Sequence, residues 1–330
     1  MKVLVYIPCH SDLSLGVSQA SRIKLEQKED KASKYSVEII LSVNSYQPTQ
    51  FEIDSARKVC DELILNGPGY MADVNISNGF LKALAKKPDI FWLLSTNDRL
   101  VDGALNRIMN EFISDSKVDL VVANALGLNK TFVEKQIVDP SKPGFSYGVI
   151  SGVIYRLDRF FPFLHNGPYM AWTGWSHLAV MQTAMDGNNG LCVRTIPDEF
   201  IYVQKERDLF SAGKYYGHSI YGMLILGSIL KTNSRQSRRF IRNYVFKNFY
   251  NFHLYSRRWK YLSQISSSEN YLAWNQKIVE SLIRETSYFL LLFYRLVKIL
   301  PWEKISEVKL ALKIKSHFDS IAGKSKIKRK

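Results

Sequence analysis

Cysteine is scarce in this chain: Cys9, Cys60 and Cys192 are the only three in 330 residues. An odd number, with no pair at metal-ligand spacing, argues against a disulfide framework and a cysteine-based zinc site. No apolar stretch is long enough to span a bilayer, and the best candidate, 288–300, is short and carries Arg295 and Lys298. The opening run Val3 to Ile7 is shorter than the apolar core of a secretory signal and lacks a small-residue cleavage site, so a cytoplasmic location is the expectation. Acidic residues are nearly missing from the end of the chain. Residues 231–330 hold 6 Asp/Glu against 22 Lys/Arg, whereas residues 1–230 hold 24 against 23. The net charge of +15 therefore belongs to the last hundred residues, which predicts a polyanionic partner, either nucleic acid or an anionic membrane surface.

What is present is core-forming material, 46% of the residues being hydrophobic. Short apolar runs alternate with helix-compatible segments. Strands are predicted over 3–7, 37–43, 62–65, 90–94, 118–123, 147–154 and 192–196. Helices are predicted over 15–31, 49–60, 78–86, 102–114 and 177–185, with an aromatic, small-residue stretch at 168–175. The alternation implies parallel βαβ units and a sheet covered on both faces. Near 213–227 the character changes, and the remainder reads as helical, basic and aromatic, closing on a polybasic tail at 324–330 expected to be disordered. The expected division is a domain over 1–215 and a helical basic region over 216–330.

The octapeptide Phe91-Trp92-Leu93-Leu94-Ser95-Thr96-Asn97-Asp98 carries the most information. An apolar run stops at small polar groups and one carboxylate, as a buried strand does where it opens into a ligand site. A strand followed by a helix N-cap would read the same way. Three further strand ends carry similar chemistry: Pro8-Cys9-His10, Asn44-Ser45, and Asn66 to Gly69. In a parallel sheet all four lie along one edge, where backbone N–H groups and small polar side chains can approach phosphate or a base.

With those residues in view, the chain resembles the family 2-like glycosyltransferases of the GT-A fold. The strand ending in Ile7-Pro8, the polar loop after the second strand, and the segment Asn66 to Phe80, with its glycines and Asn78-Gly79, carry the resemblance, which runs straight into Phe91 to Asp98. It covers residues 1–125 and reaches faintly to about 205. It implies a GT-A-like (Rossmann-like) mixed sheet with helices on both faces, a nucleotide-diphosphate-sugar donor, and a divalent cation, Mg²⁺ or Mn²⁺, offsetting charge on the departing diphosphate. Pro8, Cys9, His10 and Asn44 would then border the nucleoside. Asn78 and nearby backbone would face the diphosphate or sugar, Ser45, Asn66, Gly69 and Asn97 would belong to the same nucleotide-sugar site, and Asp98 would join it as the metal ligand. The chain departs from the family in having Ser95, Thr96 and Asn97 before Asp98, where further carboxylates are usual, and Asn44 where an acid is common.

The acceptor half departs further. Trp172-Thr173-Gly174-Trp175-Ser176-His177 matches the family's Gly/aromatic loop before a helix, without its carboxylate. His177 and Asp198 are the candidate bases, and Trp172 and Trp175 the candidate platforms for an acceptor sugar. Residues 235–261 interleave Arg/Lys with Phe/Tyr/Trp, as a helix lying in a membrane interface does, and 324–330 adds a basic patch worth about 1 kcal/mol per residue against anionic lipid. The resulting expectation is sugar transfer to a saccharide acceptor, lipid-linked, in surface polysaccharide (O-antigen, capsule or lipopolysaccharide) assembly on the inner membrane face. Two readings compete: a protein binding single-stranded nucleic acid through its basic end, and a catalytically degenerate GT-A-like subunit.

Overall fold

The computed structural model describes residues 1–10, 12–29, 34–44, 46–67, 72–96, 98–123, 131–134, 150–171, 175–196, 201–203, 226, 277, 280–281, 283–284 and 287–299. By backbone contacts the chain divides into two units, 1–244 and 245–330.

The first unit holds ten strands and seven helices among the described residues. The strands are β1 (Lys2–Cys9), β2 (Ser36–Val43), β3 (Glu62–Leu65), β4 (Ile90–Leu93), β5 (Asp98–Leu100), β6 (Leu120–Ala123), β7 (Thr131–Glu134), β8 (Val153–Arg156), β9 (Leu191–Ile196) and β10 (Ile201–Val203). The helices are α1 (Leu13–Glu29), α2 (Gln50–Arg57), α3 (Ala72–Lys86), α4 (Ala104–Ser114), α5 (Leu157–Phe160), α6 (Asn166–Tyr169) and α7 (Ser176–Gly187). Eight strands form one sheet in the order β3-β2-β1-β4-β8-β6-β9-β7. β3, β2, β1 and β4 run parallel, and β8 is antiparallel to both β4 and β6. β9 runs parallel to β6, and β7 antiparallel to β9. β5 and β10 make a separate antiparallel pair, with Asp98 opposite Val203. The expected mixed sheet with helices on both faces is therefore present; β5, β7 and β10, each only three or four residues long, were not expected.

Alternation along β1 divides the core. Val3, Val5, Ile7 and Cys9 join Trp92, Ile108 and Phe112 in the layer under α1, α2 and α4. Tyr6 faces α3, where Phe80 meets Phe91 with ring centroids 5.4 Å apart, and Tyr155 meets Phe160 at 5.1 Å. Fully burying each such side chain contributes about 1.5–3 kcal/mol. α3 begins at Ala72, six residues before the expected start at Asn78, because burial of Asn75 and Ser77 overrides their weak helix propensity. Gly79 brings that helix close to the sheet: a Cβ there would lie 2.7 Å from Leu93 Cδ2 and 2.9 Å from the Tyr6 ring.

In the second unit, α8 (Tyr288–Ile299) is the described helix. Leu291 and Tyr294 are buried, and Arg295 pairs with Glu280 at 2.9 Å. Tyr288, Phe289, Leu292 and Leu296 are exposed and share one face at helical spacing. The expected helix over 235–261 and the tail 324–330 lie outside the described residues, as do 147–149 of the strand expected over 147–154.

Candidate functional site

β1 and β2 stay paired through Cys9 and Val43, but the pairing of β1 with β4 ends at Tyr6 and Leu93. Pro8 explains the divergence. Peptide groups alternate sides along a strand: the Tyr6 carbonyl accepts from Leu94 N on the β4 side, and the Cys9 carbonyl accepts from Asn44 N on the β2 side. Residue 8 therefore faces β4, and proline has no N–H to continue that ladder. The two strands part where the strand order reverses, the place where open α/β sheets bind ligands.

Along this edge the polar side chains are joined. Asn75, in the first turns of α3, accepts from the Tyr6 hydroxyl at 2.8 Å and the Ser42 hydroxyl at 2.6 Å, and donates to Ser42 O at 2.8 Å and Asn44 Oδ1 at 2.7 Å. Asn44 Nδ2 lies 2.9 Å from His10 Nδ1. Asn66 donates to Ser42 Oγ at 3.0 Å and Val43 O at 2.9 Å. Tyr6, Ser42, Asn44 and Asn75 are 0% exposed, so water does not compete for these bonds. Burial lowers the His10 pKa, against a smaller upward pull from the Asn44 hydrogen bond. Sequence reasoning missed Asn75, which lies ahead of the predicted helix start at Asn78 and so read as a loop residue.

Asp98 begins β5 and is buried. Its Oδ2 accepts from the Ser151 hydroxyl at 2.5 Å, and Ser151 Oγ accepts from Ser95 N at 2.8 Å. Ser151 in turn lies in the 3-10 turn leading into β8, and its carbonyl accepts from Trp92 Nε1 at 2.7 Å. A polar stripe on α1 anchors the same segment. Gln19 donates to Asp98 O and Arg22 to Leu100 O. Glu26 accepts from Gly103 N and Leu105 N at 3.0 Å each, capping α4, whose own N-cap Gly103 has no side chain to do so. Burial raises the Glu26 pKa despite these N–H donors. The spacing 19, 22, 26 places all three on one helix face. Neither this stripe nor Ser151 was singled out in the sequence.

The other expected site residues fall as follows. Pro8, His10, Asn66 and Asn78 are half-buried on or beside the edge. Cys9 turns its side chain into the core, and burial pushes its thiol up to about 12, so only its backbone belongs to the edge. The Asn44 side chain, expected beside a nucleoside, is spent between Asn75 and His10. His177, expected as a base, is 2% exposed with its ring 5.9 Å from that of Trp175. Ser45, Gly69, Asn97, Trp172 and Asp198 lie outside the described residues.

Of the expected cation site, Asp98 is the described member, and neither its hydrogen bond from Ser151 nor its burial supplies the further donors a cation takes. No group of three or more His, Cys, Asp or Glu able to hold a metal occurs among the described residues.

No protein-family profile and no curated protein matches this chain. Solved structures do. Residues 1–349 of S. aureus TarS, in complex with UDP-GlcNAc, superpose with a TM-score of 0.55 at 12% identity, covering 91% of this chain and 88% of that one. The same TarS segment in complex with UDP gives 0.53 at 12% identity, with coverage of 91% and 88%. The longer TarS structure gives 0.57 at 12% identity and 91% coverage of this chain, which spans about half, 53%, of that one. The strand order and the backbone likeness agree: this chain has a GT-A-like fold.

Proposed function

We propose that the chain is a glycosyltransferase that takes a sugar from a nucleotide-diphosphate-sugar donor. The observation that carries the reading is the polar edge of β3, β2, β1 and β4, hydrogen-bonded in advance and opened at Pro8, on a fold whose solved relative holds UDP-GlcNAc. Preorganised donors at a sheet edge suit a nucleoside and its diphosphate. In the transfer, the acceptor hydroxyl oxygen bonds to the anomeric carbon, the bond from that carbon to the diphosphate breaks with its electron pair leaving on phosphate, and a base takes the hydroxyl proton. His177 and Asp198 are the candidates for that base. The acceptor in this reading is a saccharide on a lipid carrier, used in surface polysaccharide assembly.

Association with an anionic membrane surface completes the proposal. Its support is the exposed apolar face of α8 together with the excess of 16 positive charges over 231–330. No helix among the described residues is long and apolar enough to cross a membrane. The test is release of nucleoside diphosphate from a panel of UDP-, GDP- and dTDP-sugars in the presence of lipid-linked saccharide extracts. Acceptor-stimulated release from one donor is expected. No release from any, with the chain folded, would favour the degenerate-subunit reading.

A further inference from the structure

The hydrogen-bonded chain along the sheet edge has a direction, because some of its members have a single role. The Ser42 carbonyl only accepts, so the Asn75 atom 2.8 Å away is its amide nitrogen. The Asn75 oxygen is then the atom that takes the Tyr6 and Ser42 hydroxyl protons, at 2.8 and 2.6 Å. The same Asn75 nitrogen lies 2.7 Å from Asn44, which must present Oδ1 to it. Asn44 therefore turns Nδ2 toward His10 Nδ1, 2.9 Å away. An amide N–H only donates, so Nδ1 accepts and the neutral ring carries its proton on Nε2.

We infer that Asn75, acting through Asn44, is a positioning residue that fixes His10 as the neutral Nε2–H tautomer, and that His10 in this form donates to a carbonyl oxygen of the donor's nucleobase. The second half rests on the nucleotide-sugar reading above. Asn44 is spent inside the protein, so it offers a ligand no side-chain atom of its own; its contribution is the orientation of the imidazole. His10 follows the strand end where β1 and β4 separate. Burial lowers its pKa and keeps the ring neutral at physiological pH. A neutral N–H suits an uncharged acceptor, whereas a diphosphate is better served by a cation. Uracil, thymine, guanine and cytosine each present an exocyclic carbonyl oxygen, and adenine has none. The inferred donor class is thus a nucleoside diphosphate sugar whose base carries such an oxygen, with adenosine diphosphate sugars excluded.

The experiment is long-range ¹H–¹⁵N NMR of the histidine-labelled full chain, with the His10 signals assigned by their loss in His10→Gln. Wild type is expected to show the Nε2–H pattern. Asn44→Asp keeps the side-chain shape and still accepts from Asn75, but it offers His10 an acceptor, so the pattern is expected to switch to Nδ1–H. A wild-type Nδ1–H or mixed pattern overturns the relay, whether or not any variant folds; so does an unchanged pattern in Asn44→Asp. UDP, GDP and ADP are titrated in parallel against wild type and His10→Phe. A preference of about tenfold for UDP or GDP over ADP, corresponding to one hydrogen bond, is expected in wild type and lost in the variant. A preference that survives in His10→Phe overturns the base-reading role. Absence of all nucleoside diphosphate binding, with the tautomer responding as expected, overturns the nucleotide reading and the base-reading role with it, and leaves the relay standing.

Discussion

Ser151 holds Asp98 where the short strand β5 begins, and each supplies what the other needs. The Ser151 hydroxyl gives its proton to Asp98 Oδ2 while its oxygen takes the Ser95 N–H. Ser151→Ala removes both partners at once and is expected to cost about 1–3 kcal/mol of stability. Asp98→Asn keeps an oxygen for Ser151, so chemical denaturation should show a smaller loss for it than for Asp98→Ala. Transfer by Asp98→Ala should fall at least tenfold, and full activity there would remove Asp98 from the site. His10 sets a pH dependence of its own. Its folded pKa lies below the ordinary value of 6.5, so the unfolded chain binds the proton more readily. Its contribution to stability is present above about pH 6.5 and is lost as pH falls through the lowered value. Denaturant midpoints measured from pH 7.5 to 5 should fall in wild type and fall less in His10→Phe.

Among the elements, α3 and α8 carry the sharpest expectations. α3 lies against the sheet only because residue 79 has no side chain, and the same contact holds the Tyr6 ring whose hydroxyl reaches Asn75. Gly79→Ala gains about 1 kcal/mol in helix propensity. Overpacking against Leu93 and Tyr6 is expected to outweigh it, at about 1–3 kcal/mol, leaving a net loss in thermal unfolding. α8 exposes Tyr288, Phe289, Leu292 and Leu296 on one face. Each leucine inserted among lipid chains contributes about 1.5–3 kcal/mol, so the Leu292→Glu/Leu296→Glu double variant should bind anionic vesicles at least tenfold more weakly in co-sedimentation. Vesicle binding unchanged by the double variant would show that another part of the chain makes the contact. The long elements were legible because a continuous apolar run bounded by polar residues marks β1 and β2, and helical periodicity marks α4. The start of α3 was not, since Asn75 and Ser77 read as loop residues until their burial is known. Strands of three or four residues such as β5 and β10 carry no periodicity of their own; pairing with each other defines them.

At the scale of the whole molecule, charge and fold point to different partners. The balanced first 230 residues carry the sheet edge, and the basic excess lies entirely in the last hundred. The strand-end chemistry was readable in order along the sequence: 8–10, 44, 66, then 95–98. What the sequence did not reveal is how those ends are wired to one another, because Asn75, Ser151 and Gln19 reach them from 31 to 79 residues away in sequence. Hydrogen bonds of that span follow from topology alone. Binding of a nucleotide sugar at this wired edge is tested most directly by a thermal-shift screen of the full chain against UDP-, GDP-, dTDP- and ADP-sugars, with and without Mn²⁺, beside single-stranded RNA over a range of salt. A rise in unfolding temperature with a UDP-, GDP- or dTDP-sugar, absent with the ADP-sugar, is the predicted result. No shift with any nucleotide sugar, together with steeply salt-dependent RNA binding, would contradict it.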